Sequence, residues 1–198
     1  AQAAEQLVYS TYLGGYSDAA SINDIVLAPS GSVWACGWTF SSSFPTTADA
    51  YQRQLIAPAF SANAFLACVV PDDSLPAAAQ LAYSTFLTGT NGALRCAMHS
   101  SGSLTVVGGT RETFLPVSPD SPDSTFNGDC DVFLTRLHPT LNQVDQHLFS
   151  TYIGGPAYDR PQGLAVDALN RAYVVGHSTS STIEILDGQS NGGQDGFI

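Results

Sequence analysis

The chain has no lysine. Its six basic residues are all arginines (Arg53, Arg95, Arg111, Arg136, Arg160, Arg171), set against 17 acidic ones for a net charge of −11. A nucleic-acid binder must bring a cluster of cations to the phosphates, and scattered guanidiniums on an acidic chain do not supply one. The same imbalance opposes an anionic membrane surface. No apolar run reaches the ~18 residues that read as a bilayer span, so membrane insertion is not expected. Charged residues of both signs amount to only 12% of the chain, while apolar residues reach 44%. Disorder needs the opposite balance, so the chain is expected to fold.

Two further absences narrow the class. The four cysteines at 36, 68, 96 and 130 include no C-x-x-C pair, which argues against a zinc finger or ribbon. Four cysteines allow three disulfide pairings, and spacing does not choose among them. Helical periodicity is also missing. No window of 11 or more residues carries apolar positions at i, i+3, i+4 and i+7 between caps. Leu75–Ala82, "LPAAAQLA", offers at most one turn.

What is present is repetition. "YSTYLGG" at Tyr9–Gly15 returns as "YSTFLTG" at Tyr83–Gly89 and as "FSTYIGG" at Phe149–Gly155. Each copy is followed by an apolar run, a polar turn with Gly or Asn, and a β-rich run containing Gly. These blocks are Ile22–Thr39, Ala93–Thr110 and Pro161–Ser178. Two strands joined by a tight turn are the natural reading. After a variable loop comes a third strand, "NAFLACVVP", "DVFLTRLHP" and finally "DGFI". One unit is therefore four strands in about 66 to 74 residues. The first heptamer reads as the last strand of a preceding unit, and the last unit lacks its fourth strand.

The strands are apolar on both faces. "LVYSTYL" sets Leu7, Tyr9 and Leu13 on one side and Val8 and Tyr12 on the other. A sheet with one wet face alternates more cleanly, whereas a propeller blade is covered on both sides by its neighbours. Thr and Ser leave room for aromatics across the gap. The Gly-Gly pair permits positive φ and a sharp swing into the next blade. The expected fold is all-β: a β-propeller sector of about three four-stranded antiparallel blades within a larger ring. Residues 1–6 form an N-terminal extension without signal-peptide character. The units run over 7–80, 81–147 and 148–198, the last incomplete.

"LVYSTYLGG", "DIVLAPSGSVWACGWT", "FPTTADAYQ" and "YIGGPAYDRPQGLAVDALNRAYVVGHSTS" together resemble the bacterial seven-bladed β-propeller (SBBP) repeat. The likeness covers the chain from Leu7 onward. It implies a secreted or cell-surface bacterial protein, often large and multidomain, with little assigned chemistry. The second copy departs from the pattern: its turn is shortened to "TGTNGALR", and "FLPVSPDSPDSTFNGD" replaces the FPTT loop. Three units are also fewer than seven.

No catalytic signature accompanies the repeat. There is no G-x-S-x-G elbow and no H-E-x-x-H pair around His99, His138, His147 or His177. Asp18 and Asp159 follow the glycine turn, and Asn63, Asp131 and Asp195 stand two residues before the third strand's Phe. Their first reading is as turn-formers bonding their own backbone. No cofactor is expected; a weaker alternative is an irregular calcium site over Asp120, Asp123, Asp129 and Asp131. Aligned on the repeat, Cys36 and Cys96 fall at buried apolar positions, Cys68 and Cys130 at more accessible ones. Rigid scaffolds usually carry recognition on variable loops, here Phe40–Ala62, Arg111–Cys130 and Thr179–Gln194. Trp38, Tyr51, Arg53, Arg111, Arg160 and His177 are the side chains there, or on the adjoining rim, best suited to ligand contacts.

The expected role is a non-enzymatic extracellular scaffold mediating protein or glycan interactions. Its partners would be other domains of a longer chain, copies of itself, or a surface protein or glycan. Two alternatives stand beside it. One is a structural subunit of a filament or surface layer assembling through open blade edges. The other is a carbohydrate-active enzyme or lectin with a site on the propeller face.

Overall fold

The computed structural model describes residues 9–16, 18–56, 61–183 and 190–198; the extension expected over 1–6, with Leu7 and Val8, lies outside the described residues. Three antiparallel sheets follow one another along the chain. The first contains β1 (Ala20–Leu27), β2 (Val33–Thr39), β3 (Asn63–Val69) and β4 (Leu81–Leu87), in that order. The second contains β5 (Gly92–Met98), β6 (Leu104–Thr110), β7 (Asp131–Leu137) and β8 (His147–Ile153). The third has only β9 (Asp159–Val166), β10 (Ala172–Ser178) and the short β11 (Asp195–Phe197). The second and third heptamers lie on β4 and β8, the last strands of complete sheets. Tyr9–Gly15 is not in a strand.

The turn between first and second strands is legible residue by residue. Gly31, Gly102 and Asn170 hold φ of 86°, 84° and 62°, the left-handed region that favours Gly and tolerates Asn. The heptamer glycines are different. Among Gly14, Gly15, Gly89, Gly154 and Gly155, only Gly89 has positive φ, at 69°, so the expected swing through positive φ does not hold for the Gly-Gly pairs. Close approach explains three of the other four instead, Gly15, Gly154 and Gly155; a Cβ on Gly154 would collide with the Asp131 Cγ. A Cβ on Gly15 would lie 2.7 Å from the Ser41 Cβ, and one on Gly155 equally near the Ser180 Cβ.

Each first strand carries one extra residue, Asn23, Leu94 and Gln162 respectively, where the register with the second strand slips. Beside the slip, a Cβ on Gly37, Gly108 or Gly176 would collide with the carbonyl of Ser21, Gly92 or Arg160. The recurring glycine of the second strand thus accommodates a bulge.

The sheets stack face to face and fan outward. β1 lies against β5 and β5 against β9, while the last strands β4 and β8 do not approach each other comparably. The first strand is therefore innermost, as in propeller blades, and the sheets form a sector, not a closed ring. Alternation sends successive side chains into opposite interfaces. Trp34, Cys36, Leu66 and Leu87 of the first sheet meet Leu104, Val106, Phe133 and Tyr152 of the second in the largest apolar cluster. Val107, Val132 and Ile153 face Val174 of the third sheet. On the first sheet's other face, Phe44, Phe65 and Phe86 pack with Leu13, so the first heptamer supplies one residue of a preceding interface.

Equivalent positions expose what each face lacks. Cys36 and Val107 are 0% exposed because a further sheet covers each, whereas Val175 at the same repeat position is 39% exposed. Tyr12 is fully exposed while its counterparts Phe86 and Tyr152 are at 0% and 1%.

Outer edges are protected by an unforeseen device. The loop after β2 runs back along β4: Phe86 N donates to Gln52 O at 3.0 Å and Gln52 N to Thr85 Oγ1 at 2.8 Å. In the second sheet Tyr152 N donates to Asp123 O at 3.1 Å and Ser150 N to Ser118 Oγ at 2.9 Å. The Ser-Thr of the heptamer thus does more than leave room for aromatics. It pins a loop over a strand edge that would otherwise template aggregation. The turn foreseen within Leu75–Ala82 is α1 (Ala77–Gln80), and a 3₁₀ turn at Gln143–Asp145 takes its place before β8.

Candidate functional site

The starts of first strands and the ends of second strands converge on one rim. There Trp38, Phe40, Asn91, Arg111, Tyr158 and Arg160 line a cleft of about 440 Å³, with Glu112 and Cys130 in its walls. Three of the six expected ligand contacts, Trp38, Arg111 and Arg160, are thereby brought together from three successive sheets. His177 stands beside them, stacked on Tyr158 with ring centroids 6.1 Å apart. Tyr51 and Arg53 are elsewhere, in a shallow depression with Ile56 and Gln143. Their segment is turned outward by its bonds to β4, and Tyr51 stacks on His147 at 5.7 Å.

The cleft's chemistry is mixed aromatic and cationic. Trp38 and Phe40 meet edge to face at 5.4 Å. Arg160 Nη1 donates to the Tyr158 hydroxyl at 3.4 Å. The only ion pair among the described residues is Arg171–Asp167 at 2.7 Å, so neither cleft arginine is paired with a carboxylate. Glu112 lines the same cleft without forming an ion pair, and its Oε1 accepts from Asn91 Nδ2 at 3.1 Å. Both guanidiniums reach the field of Cys130, whose thiol is pushed up by burial and drawn down in part by Arg111 and Arg160.

The variable loops divide in their roles. The first halves of the first two are structural, with Phe44 buried on the first sheet's outer face and Leu115 between the first and second sheets, and the following polar residues clamped to β4 and β8. Parts of two loops, residues 57–60 and 184–189, lie outside the described residues. Three of the histidines each meet a hydroxyl or carbonyl oxygen. His99 Nε2 meets Thr105 Oγ1 at 2.7 Å, His138 Nε2 meets Ser101 O at 3.1 Å, and His147 Nε2 meets Ser150 Oγ at 2.7 Å. Burial lowers the pKa of His99 and of His147, with Arg136 adding to the effect on His99.

Among the described residues no three His, Cys, Asp or Glu side chains gather as a metal site. Asp123 Oδ1 is taken by Thr125 N at 3.0 Å, and Asp131 Oδ2 accepts from Asn127 N at 2.9 Å. Asp195 Oδ2 likewise accepts from Asn191 N at 2.9 Å. Asp131 and Asp195 thus each hold a nearby backbone amide, as turn-forming residues do.

All four cysteines are free thiols and all are buried. That fits Cys36 and Cys96 but corrects the expectation for Cys68 and Cys130, which are 5% and 6% exposed. Cys68 packs in the first inter-sheet cluster, and Cys130 is roofed by the cleft residues. Burial raises the pKa of Cys68 and Cys130, and a hydrogen bond with Cys96 together with burial raises that of Cys36. Because the thiolate is the reactive form, native alkylation by iodoacetamide at neutral pH is expected to be slow at every site. Mass spectrometry should find rapid labelling only in denaturant; fast native labelling of any one would contradict its burial.

Sheets of this order, with an innermost first strand and face-to-face stacking, are arranged like propeller blades. The family model of the SBBP beta-propeller repeat matches residues 148–184, so that stretch, from β8 through β10, carries an SBBP repeat. No curated protein matches the chain.

Proposed function

We propose that the chain is a non-enzymatic interaction module on a β-propeller scaffold, displayed on or outside a bacterial cell, that holds a protein or glycan partner at the rim cleft. The observation carrying this reading is the convergence of Trp38, Arg111 and Arg160 in one cleft. Two guanidiniums without carboxylate partners suit an anionic group, since Arg binds carboxylates and sulfates through paired N–H donors. Trp38 and Phe40 offer apolar faces for a sugar ring or side chain. A carboxylated or sulfated glycan fits both features.

An array of acidic and neutral glycans, followed by titration calorimetry, tests this. Arg111→Ala with Arg160→Ala is expected to weaken binding of an acidic hit at least tenfold, or about 1.4 kcal/mol or more, without altering the melting temperature. Binding indifferent to both substitutions removes the cleft from the account. Turnover of a glycan would replace the reading with an enzymatic one.

A second reading, assembly through open blade faces, is favoured by the exposure of Val175 and Tyr12 at positions buried in the neighbouring units. Further blades, from a longer chain or another copy, would cover both.

A further inference from the structure

The junction between the second and third sheets contains a feature that the rim cleft does not use. Asp131 opens β7 and Asp159 opens β9, and both are 0% exposed. Each has one oxygen engaged. Asp131 Oδ2 accepts from Asn127 N at 2.9 Å, and Asp159 Oδ2 accepts from Gly155 N and Ser180 Oγ, both at 2.8 Å. The remaining oxygens, Asp131 Oδ1 and Asp159 Oδ1, are buried without any hydrogen-bond partner.

The two carboxyl groups flank the same dipeptide. A Cβ on Gly154 would fall 2.5 Å from Asp131 Oδ1, while the next amide, Gly155 N, is bound by Asp159. Asp159 N in turn donates to Cys130 O at 2.7 Å, the carbonyl preceding Asp131. A third carboxylate, Asp123, adds its field, and with Asp159 it helps burial push the Asp131 carboxyl up to about 6. Neither carboxyl is in an ion pair: the only one among the described residues is the distant Arg171–Asp167, and the chain has no lysine.

The chain supplies its own comparison one junction earlier. There Asn63 stands at the start of β3, and Asn91 immediately precedes β5. Asn63 Oδ1 accepts from Ile56 N at 3.1 Å, and its Nδ2 donates to Ala62 O and Thr90 O at 3.2 and 3.3 Å. Asn91 accepts from Arg111 N and donates to Glu112. Neutral amides close that junction with every polar atom satisfied. Carboxylates at the same places leave two orphan oxygens and uncompensated charge, an arrangement a protein interior sustains only with a counter-ion or a proton.

We infer that Asp131 and Asp159 form a binding site for a hard divalent cation of the calcium class, which ties the second blade to the third. Calcium takes carboxylate, hydroxyl and water oxygens together, so two carboxylates can hold it with neutral oxygens completing the shell. A single proton would answer only one of the three nearby negative charges.

Calcium titration calorimetry and terbium luminescence on the whole 198-residue chain, after chelator treatment, test the site. One saturable ion per chain is expected, together with a melting temperature that rises with calcium, as linkage requires. Asp131→Asn with Asp159→Asn, which copies the earlier junction, is expected to lower calcium affinity at least tenfold and abolish the thermal shift. The variant should keep a β-sheet circular-dichroism spectrum. Absence of saturable binding to the wild type overturns the inference whatever the variant does, as does undiminished binding by the variant. A wild type indifferent to calcium, whose stability falls as pH rises from about 4 to about 6, would identify a proton as the sole occupant and equally overturn it.

Discussion

Val107→Asp is expected to destabilise the chain by at least about 3 kcal/mol, enough to unfold much of it, because the new carboxylate is buried unpaired. The same substitution at Val175 is expected to change stability by less than about 1 kcal/mol, close to the range of ordinary surface changes. The two valines hold the same repeat position and face the same direction. Only their coverage differs: Val107 is packed under the third sheet, and Val175 faces outward. Urea denaturation followed by circular dichroism measures both. Equal and large losses would mean that something already covers the third sheet's outer face in solution. Light scattering of the wild type and Val175→Asp would then show whether that cover is another copy. The pair thus tests the stacked-blade architecture and the assembly reading together.

The parts of this fold legible in the sequence are those governed by local chemistry repeated in register. The turn residues Gly31, Gly102 and Asn170 announce themselves because positive φ has few occupants. Apolar residues on both strand faces announced double burial. Less visible was anything joining distant residues of unlike type. "FPTT" and "LPVS" share little identity, yet Thr47 and Ser118 both bond the outer strand, at Ser84 and Ser150. What such a loop needs is a hydroxyl and a backbone path, and many sequences supply those. The heptamer glycines differ from expectation for a related reason: sequence does not distinguish positive φ from a close neighbour. The rim cleft was half legible. Trp38, Arg111 and Arg160 converge because they occupy related rim positions on successive blades. Tyr51 and Arg53 follow a loop that first wraps the outer strand. The Asp131–Asp159 pair could have been found by comparing copies, since Asn63 and Asn91 occupy the matching places, but it needed the fold to bring residues of adjacent blades together.

A second large effect is expected at Gln146, which is 0% exposed despite its amide. Its Oε1 accepts from the Tyr83 hydroxyl at 2.7 Å, joining the outer strand of one blade to the chain leading into the outer strand of the next. Its Nε2 donates to Asp49 O at 2.8 Å and to the carbonyls of Pro139 and Leu141 at 3.3 and 3.2 Å. Replacing Gln146 by Leu keeps the volume and strips all of these bonds. Each buried group left unsatisfied costs about 1–3 kcal/mol, so a loss of about 3 kcal/mol or more is expected in urea denaturation. Tyr83→Phe should cost about 1–2 kcal/mol, because Gln146 Oε1 and Tyr51 N lose a partner. The two substitutions should be non-additive by about 1 kcal/mol or more in a double-mutant cycle. The same bond recurs one unit earlier, where Tyr9 donates to Gln80 Oε1 at 2.6 Å. Gln80 is only partly buried, and water can replace the lost partner there, so Tyr9→Phe should cost well under about 1 kcal/mol. A Tyr–Gln clasp between successive blades is what the first heptamer's tyrosine contributes even without a strand of its own. Vanishing coupling at Tyr83–Gln146 would leave the blades joined at that end by apolar contact and by the bonds from Gln146 Nε2 to Asp49 O and from Gln143 Nε2 to Ala50 O.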